Sequence, residues 1–380
     1  MIAGIFNSVS PRWKLQRRGD HSRLRGYAFK IVAVGLALLI AGLALEADGK
    51  QPLELARMLL HTSFNTSFGR KQLYLLATPL IFNGAAFLVA SRMQLFNLGL
   101  EGQLYIGGFA AIAVGLFVPG PPLLILLLMF VASVLAGALY ALVPAVMRIR
   151  AGVSEILTTL LLNPLSIQYA AYIGMDVWRD TSAVAGSSNT TPAIPYKMPV
   201  LFGELNLGLI LAALFVVLLW IVLTHTTWGY EVTAGGSNIG AAKYSGMHVV
   251  RNMFVVMLLS GGLAGMSGMV QVVEVAHRYS PQLSNNLGWM GVYVAILAGS
   301  DTLTILPWGV FMALLMFSGT ILKTQGILTQ VVFALTGLIL LLASIGEVVA
   351  NYRLVNVADL EQRAMVDIGQ GATPKTEGID

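Results

Sequence analysis

Amide and carboxylate side chains are concentrated in one short segment, FNLGLEGQLYIGG, which runs from Phe96 to Gly108 between two apolar stretches. It holds Asn97, Glu101 and Gln103, separated by glycines. Such groups can bind a polar solute or join helices through hydrogen bonds. In hydrocarbon they are costly unless they are paired or face water. The segment is therefore a surface loop, a buried polar cluster or a functional site.

The composition places this segment in a membrane protein. Of 380 residues, 56% are hydrophobic and 11% are charged, whereas a soluble domain has about 25% charged residues. The mean hydropathy is +0.76. The net charge of +5 comes from basic residues that flank apolar runs, which indicates membrane topology and not nucleic-acid binding. The absence of cysteine excludes disulfides, thiolate metal sites and cysteine nucleophiles.

The apolar runs predict an all-α polytopic protein with about ten transmembrane helices. More basic residues fall on one side of these spans, so we expect both termini to be cytoplasmic and the chain to be a multi-pass membrane protein. The predicted spans are residues 27–45, 73–91, 103–118, 122–143, 155–174, 206–224, 253–275, 287–300, 304–321 and 330–349. The eighth of these is the shortest, and a broken or re-entrant segment is an alternative there.

The segments outside the spans define the expected domain organisation. Residues 1–26 form a basic cytoplasmic arm, 27–350 the transmembrane domain and 351–380 a polar cytoplasmic tail. Within the domain, residues 175–205 form an external loop and 225–252 a cytoplasmic loop.

The cytoplasmic loop contains signals for a short helix. Asn238 is a suitable N-cap for IGAAKY, and Gly246 a suitable end. Gly235 and Gly236 predict a sharp bend just before it. One interpretation is a loop on lipid headgroups, anchored by Trp228 and Tyr244. The other is a docking element for a cytoplasmic partner.

Four segments together resemble a known family. TTWGYEVTAGGSNIGAAKYSGM (226–247) resembles the coupling-helix loop of ATP-binding-cassette importer permeases of the nucleoside and simple-sugar type, which are related to branched-chain amino acid permeases. FNLGLEGQ resembles the family's F-N-I-G-x-E-G-Q segment, SEILTTLLLN (154–163) its E-x-I-x-T-x-x-L-N segment, and SGGLAGMSGMVQVVE (260–274) the small-residue helix after the loop. They occur in the family's order, between about Leu73 and Gly346.

The resemblance implies a permease subunit that imports a small polar solute, a nucleoside or nucleobase first and a simple sugar second. It also implies partners: a cytoplasmic ATPase, a second permease subunit (a paralogue or a copy of this chain), an extracytoplasmic substrate-binding protein and membrane lipid. ATP and magnesium would be used by the ATPase, with no cofactor or metal bound by this chain. The residues expected to couple to the ATPase are Gly235, Gly236, Ser237, Asn238, Ala241, Ala242, Lys243, Tyr244 and Gly246.

Candidate residues of the translocation path are the polar ones near or within the spans: Asn97, Glu101, Gln103, Thr159, Asn163 and Glu274. Each has a structural alternative. Glu101 could pair with Arg92 or cap its own helix. The stripe from Glu155 to Asn163 suits a water-lined cavity or a hydrogen-bond seam between helices equally well.

At the outer end of the seventh span, Glu274 could meet the solute, or pair with His277 and Arg278. In the same span Gly261, Gly265 and Gly268 are spaced for helix packing. Glu155 lies close enough to Arg148 and Arg150 for an ion pair.

Motifs for catalysis are missing from the sequence. It has neither a Walker phosphate loop nor an H-E-x-x-H metal motif, and no set of residues has catalytic spacing. We therefore expect no enzymatic activity in this chain. An ion-coupled secondary transporter is the alternative function, although the acidic residues lie near predicted helix ends and not at the bilayer midplane.

Overall fold

The computed structural model describes residues 13–17, 23–181, 190–299, 301–327 and 329–356, and these are mostly helical. The α-helices within them are α1 (Arg23–Ala47), α2 (Pro52–Asn65), α3 (Ser67–Ser91), α4 (Leu100–Phe117), α5 (Pro122–Ala151), α6 (Glu155–Tyr172), α7 (Leu207–His225), α8 (Thr227–Ser237), α9 (Ile239–Tyr244), α10 (Val249–Val270), α11 (Leu287–Ala298), α12 (Ile305–Thr324) and α13 (Thr329–Asn351). The shorter elements are π-helical turns at Ile173–Val177 and Gln271–Ala276, a 3-10 turn at Thr302–Thr304, and strands β1 (Trp13–Arg17), β2 (Val200–Phe202), β3 (Leu205–Asn206) and β4 (Tyr352–Asn356).

All ten predicted spans lie on helices, and the all-α membrane architecture is confirmed. Among the described residues, seven helices are long and apolar enough to cross a bilayer: α1, α3, α4, α5, α7, α12, and α10 with its π-helical end. With 12 residues, α11 is apolar but short, about 18 Å against a hydrocarbon core of about 30 Å. The count of ten crossings and the cytoplasmic location of both termini stay predictions.

The chain forms two compact units, residues 1–50 with 334–380, and residues 51–333. In the first unit α1 lies against α13, where a Cβ added at Gly346 would lie 3.3 Å from the backbone oxygen of Phe29. Its strands β1 and β4 pair antiparallel, from Trp13 opposite Asn356 to Arg17 opposite Tyr352. Most of the predicted arm and tail, residues 1–12, 18–22 and 357–380, lies outside the described residues.

The second unit is built around α3 and α10. In its most apolar stretch α3 is 89% buried and α10 67%, against 22% for α5 and 28% for α7, so α3 and α10 form the centre. Small residues let the helices approach closely. A Cβ added at Gly265 of α10 would lie 2.2 Å from the backbone oxygen of Ser133 of α5, and one at Gly268 would lie 2.0 Å from that of Leu104 of α4. The predicted packing role of these glycines is confirmed.

Two helices, α2 and α8, were not predicted. In the sequence α2 follows α1, begins at Pro52 and carries Glu54 in its first turn. Leu53 and Leu60 are exposed on its surface. The apolar stretch of α2 is too short and too polar to predict a transmembrane helix.

Candidate functional site

Asn97 is the centre of a buried cluster that joins four helices. Gln94, in the left-handed region with φ 56°, ends the turn after α3, and Asn97 follows at 0% exposure. Its Nδ2 donates to Ser260 of α10 at 2.7 Å and to Gln103 of α4 at 2.9 Å. Its Oδ1 accepts from the side chain of Gln103 at 3.0 Å and from the backbone N–H of Gly99 at 3.1 Å. We call Asn97, Glu101, Gln103, Asn163 and Ser260 the Asn97 cluster.

Asn163 attaches α6 to the same cluster. Its Oδ1 accepts from the backbone N–H of Gly102 at 2.9 Å, and its Nδ2 donates to the backbone oxygen of Leu98 at 2.8 Å. A Cβ added at Gly102 would lie 3.0 Å from that Oδ1, so glycine permits the approach. Of the two interpretations for the stripe on this helix, the structure shows a hydrogen-bond seam between helices.

The rest of the stripe is satisfied locally. Thr158 and Thr159 are buried and donate to backbone oxygens one turn earlier, at 3.0 and 2.7 Å. Glu155 forms an ion pair with Arg148 at 3.3 Å, and accepts from the backbone N–H of Phe96 at 3.4 Å. The ion pair expected for Glu155 is therefore confirmed, with Arg148 as its partner.

Glu101 caps a helix distant in the sequence. Its carboxylate accepts a hydrogen bond of 2.8 Å from the backbone N–H of Gly288, in the first turn of α11. The hydroxyl of Ser284 and the N–H groups of Asn286 and Trp289 face the same carboxylate. Glu101 also lies in the first turn of its own helix, α4, as expected, whereas the charge that interacts with Arg92 is that of Asp301. The positive ends of both α4 and α11 therefore compensate the charge of Glu101.

Glu274 lies at the outer end of the α10 span, where the helix widens into a π-turn. Its carboxylate accepts a hydrogen bond from the side chain of Asn206, the N-cap residue of α7. A Cβ added at Gly208 would lie 2.8 Å from its Oε1, which has no hydrogen-bond partner among the described residues. The alternative pairing of Glu274 with His277 and Arg278 is wrong, because Glu274 bonds to Asn206 and Arg278 pairs with Asp180.

Arg278 and His277 contact the two described ends of the segment predicted to be external. Arg278 pairs with Asp180 at 2.6 Å, and the backbone oxygen of His277 accepts from Ile194 N–H at 2.9 Å. Burial, together with the charges of Lys197 and Lys71, lowers the pKa of His277 below its ordinary value. These contacts hold Asp180 and Ile194 against the end of the α10 span.

The short helix predicted in the cytoplasmic loop is α9, with the expected ends. The Oδ1 of Asn238 accepts from the backbone N–H of Ala241 at 2.9 Å, and Gly246 follows with φ +79°. Tyr244 is 96% exposed and Ile239 45%, whereas Ala242 is 3% exposed. Ser237, Ala241 and Lys243 are also exposed. The helix thus presents an aromatic side chain outward and is held to its own chain by Ala242.

The predicted bend at Gly235 and Gly236 is wrong. Both residues belong to α8, and the chain turns at Asn238. A Cβ added at Gly236 would lie 2.1 Å from the backbone oxygen of Arg92. Glycine therefore permits the close approach of α8 to the end of α3.

Sequence reasoning missed Ser260, Asn206 and Gly288, the partners of Asn97, Glu274 and Glu101. Asn206 carried a usable signal, since an Asn directly before an apolar run is a typical N-cap. Ser260 and Gly288 carried none, because their partners lie far away in the sequence.

Comparison with known proteins assigns the family. The family model described as the permease component of branched-chain amino acid transport systems matches residues 71–344. The glucose ABC transporter permease protein TsgB13 of Haloferax volcanii is 29% identical over 86% of this chain and 90% of its own length. The guanosine ABC transporter permease protein NupP of Bacillus subtilis is 31% identical over 60% and 67%. The nucleoside ABC transporter permease protein NupB of Lactococcus lactis is 26% identical over 78% and 84%.

No solved structure matches the chain. The family match covers the Asn97 cluster, α9 and the α10 span, and the apolar helices account for insertion into the inner or plasma membrane. The chain therefore belongs to the family of branched-chain amino acid transport system permease components.

Proposed function

We propose that this permease imports a small polar solute, a nucleoside or nucleobase first and a simple sugar second. The substrates for which its relatives are named, guanosine, nucleosides and glucose, are neutral and rich in hydroxyl groups or ring nitrogens. We further propose that a separate ATPase drives transport with ATP and magnesium. An external binding protein would deliver the solute, and a second permease subunit would complete the membrane core. The relatives do not favour ion-coupled transport.

The observation that carries this proposal is the exposure of Tyr244 on a short, capped helix. An aromatic ring that is almost fully exposed on a rigid element is a typical anchor for a protein partner. Its neighbour Ile239 widens the apolar surface. In the proposed orientation α9 faces the cytoplasm, where an ATPase would bind.

The contacts beneath α9 support transmission of movement into the membrane. Gly236 of α8 touches the end of α3, and Asn252 of α10 donates to Glu231 of α8 at 2.8 Å. Because α3 and α10 form the centre of the second unit, a shift of α9 would be carried to both. Such rigid-body shifts of packed helices are a common means of alternating access.

The path itself is a further part of the proposal. Asn97, Gln103, Thr159 and Asn163 use their polar atoms within the chain, so a role for them on the path stays a prediction. The Oε1 of Glu274, at the predicted outer end of α10, is buried and makes no hydrogen bond within the described residues, and we propose that it meets the incoming solute when the helices around it move apart. A carboxylate oxygen accepts hydrogen bonds from the hydroxyl groups of ribose and glucose alike.

The test is made in cells of the source organism that carry an affinity tag on the full chain. Uptake of radiolabelled guanosine and glucose is measured, together with recovery of an ATP-hydrolysing subunit after solubilisation. Tyr244→Ala is compared with Tyr172→Ala, a control that removes an exposed tyrosine at the far end of α6. We expect Tyr244→Ala to lower both uptake and ATPase recovery at least tenfold, and Tyr172→Ala to change neither.

Ala242 is not suitable for this test. Because Ala242 is buried, a charged side chain there would disrupt the packing of α9 against the rest of the chain and would not test partner binding alone. Uptake that survives Tyr244→Ala, or that continues after ATP depletion but collapses with an ionophore, would overturn the proposal.

A further inference from the structure

An apolar groove runs along the membrane-spanning part of the second unit. Helices α5 and α7 form its walls and α10 its floor. Two cavities of about 500 and 490 Å³ lie along it, and Phe130 lines both. The ring of Phe130 lies 6.0 Å from that of Phe215 across the groove, and this contact separates the two halves.

The dimensions of the half nearer α9 suit one hydrocarbon chain. On α10 it extends from Val255 to Met266, which is about 16 Å at 1.5 Å per residue. One leaflet of the hydrocarbon core is about 15 Å thick. The volume of this half of the groove is about 490 Å³, and it is open along one side, so a hydrocarbon chain can enter it from the bilayer.

An arginine and a histidine lie at the α9 end of the groove. Arg251 is exposed one turn before Val255 on the same face of α10, and His225 is exposed one turn after Val222 on α7. The nearby carboxylate of Glu231 already accepts a hydrogen bond from Asn252. A guanidinium at this depth, where an apolar groove meets the headgroup region, is suited to a phosphate.

We propose that this half of the groove binds one acyl chain of an anionic phospholipid, with the lipid phosphate at Arg251. The lipid fills the space between α5 and α7 and joins α7 to α10. The site does not depend on the transported solute or on the ATPase, so its test is independent of the proposed function.

The test measures lipid binding to the purified full chain. The chain is delipidated in mild detergent and titrated with phosphatidylglycerol or phosphatidylcholine, and bound lipid is counted by native mass spectrometry. Arg251→Gln removes the phosphate ligand, with Arg150→Gln as a control at an exposed arginine of α5. Val222→Trp fills the cavity, with Ile221→Trp as a control on a neighbouring residue that does not line it.

We expect Arg251→Gln to weaken phosphatidylglycerol binding at least fivefold and phosphatidylcholine binding less, because the choline ammonium offsets part of the phosphate charge. Val222→Trp should remove one bound phosphatidylglycerol, and both controls should retain it. The proposal is overturned if both test variants bind phosphatidylglycerol like wild type. It is also overturned if Val222→Trp instead dissociates a dimer, which would show that a second chain occupies the groove. If Val222→Trp fails to fold, lipid binding to the Arg251→Gln variant, which changes an exposed residue, decides the question.

Discussion

The carboxylate of Glu101 on α4 lies 2.8 Å from the backbone nitrogen of Gly288, 187 positions later in the chain. A Cβ added at Gly288 would lie 2.4 Å from the backbone nitrogen of Glu101, so the contact requires glycine on α11. The carboxylate stabilises the first turn of α11, whose N-cap residue Asn286 makes no side-chain cap hydrogen bond. This relationship explains why a charge is placed among apolar helices.

Replacing Glu101 should reveal whether it serves folding or transport. Glu101→Gln keeps an acceptor but loses the charge at the α11 N-terminus, and we expect a loss of stability of about 1–2 kcal/mol. Thermal unfolding in detergent measures it, with the exposed Glu54→Gln as a control. Unchanged stability and normal yield together with lost uptake would place Glu101 on the path instead.

Asn97 should be among the most sensitive positions of the chain. Asn97→Ala removes four hydrogen bonds and leaves Gln103 and Ser260 with fewer partners, so we expect a loss of about 2–4 kcal/mol. Denaturant titration monitored by fluorescence provides the measurement. Thr324→Ala, which removes an exposed hydroxyl bonded only to its own helix, should have little effect. A stable Asn97→Ala protein would argue against the cluster as a structural joint.

Gly265 should not tolerate even one added methyl group. In Gly265→Ala the new Cβ would lie 2.2 Å from the backbone oxygen of Ser133, so α5 and α10 must separate, at a cost of roughly 1–3 kcal/mol or more. Size-exclusion chromatography of a fluorescent fusion should show less folded protein. Gly337→Ala, where nothing lies within 4 Å of the new atom, is the matched control and should fold normally.

The outer end should lose stability on acidification through His277. Because the pKa of this imidazole is lowered in the folded state, the unfolded chain binds more protons between that value and about 6.5. The free energy of unfolding is therefore highest above pH 6.5 and falls as the pH decreases towards the folded-state pKa.

Thermal unfolding between pH 7.5 and 5 would show this dependence. His277→Gln should remove the contribution of His277 to it. Lys197→Gln takes away a positive charge that lowers the pKa of His277. The Lys197→Gln protein should therefore lose less stability on acidification than wild type does. A pH dependence identical in all three proteins would contradict the assignment.

Local features of the sequence predicted much of the architecture. Each apolar run of the right length became a helix, because such a stretch can satisfy its backbone in lipid only within itself. The ends of α9 followed from Asn238 and Gly246, since a cap and a left-handed glycine act on neighbouring residues. The four family segments identified the class of protein in the same way, through residues close together in the chain.

Only the tertiary structure decided what the polar and small residues do. Asn97, Glu101 and Asn163 had equally good local explanations, and their partners on α10, α11 and the α3–α4 connection were set by how the helices pack. Gly235 and Gly236 were ambiguous between a bend and a close approach for the same reason. A buried polar group takes whichever partner the fold brings within about 3 Å, and that distance is fixed by packing between distant segments.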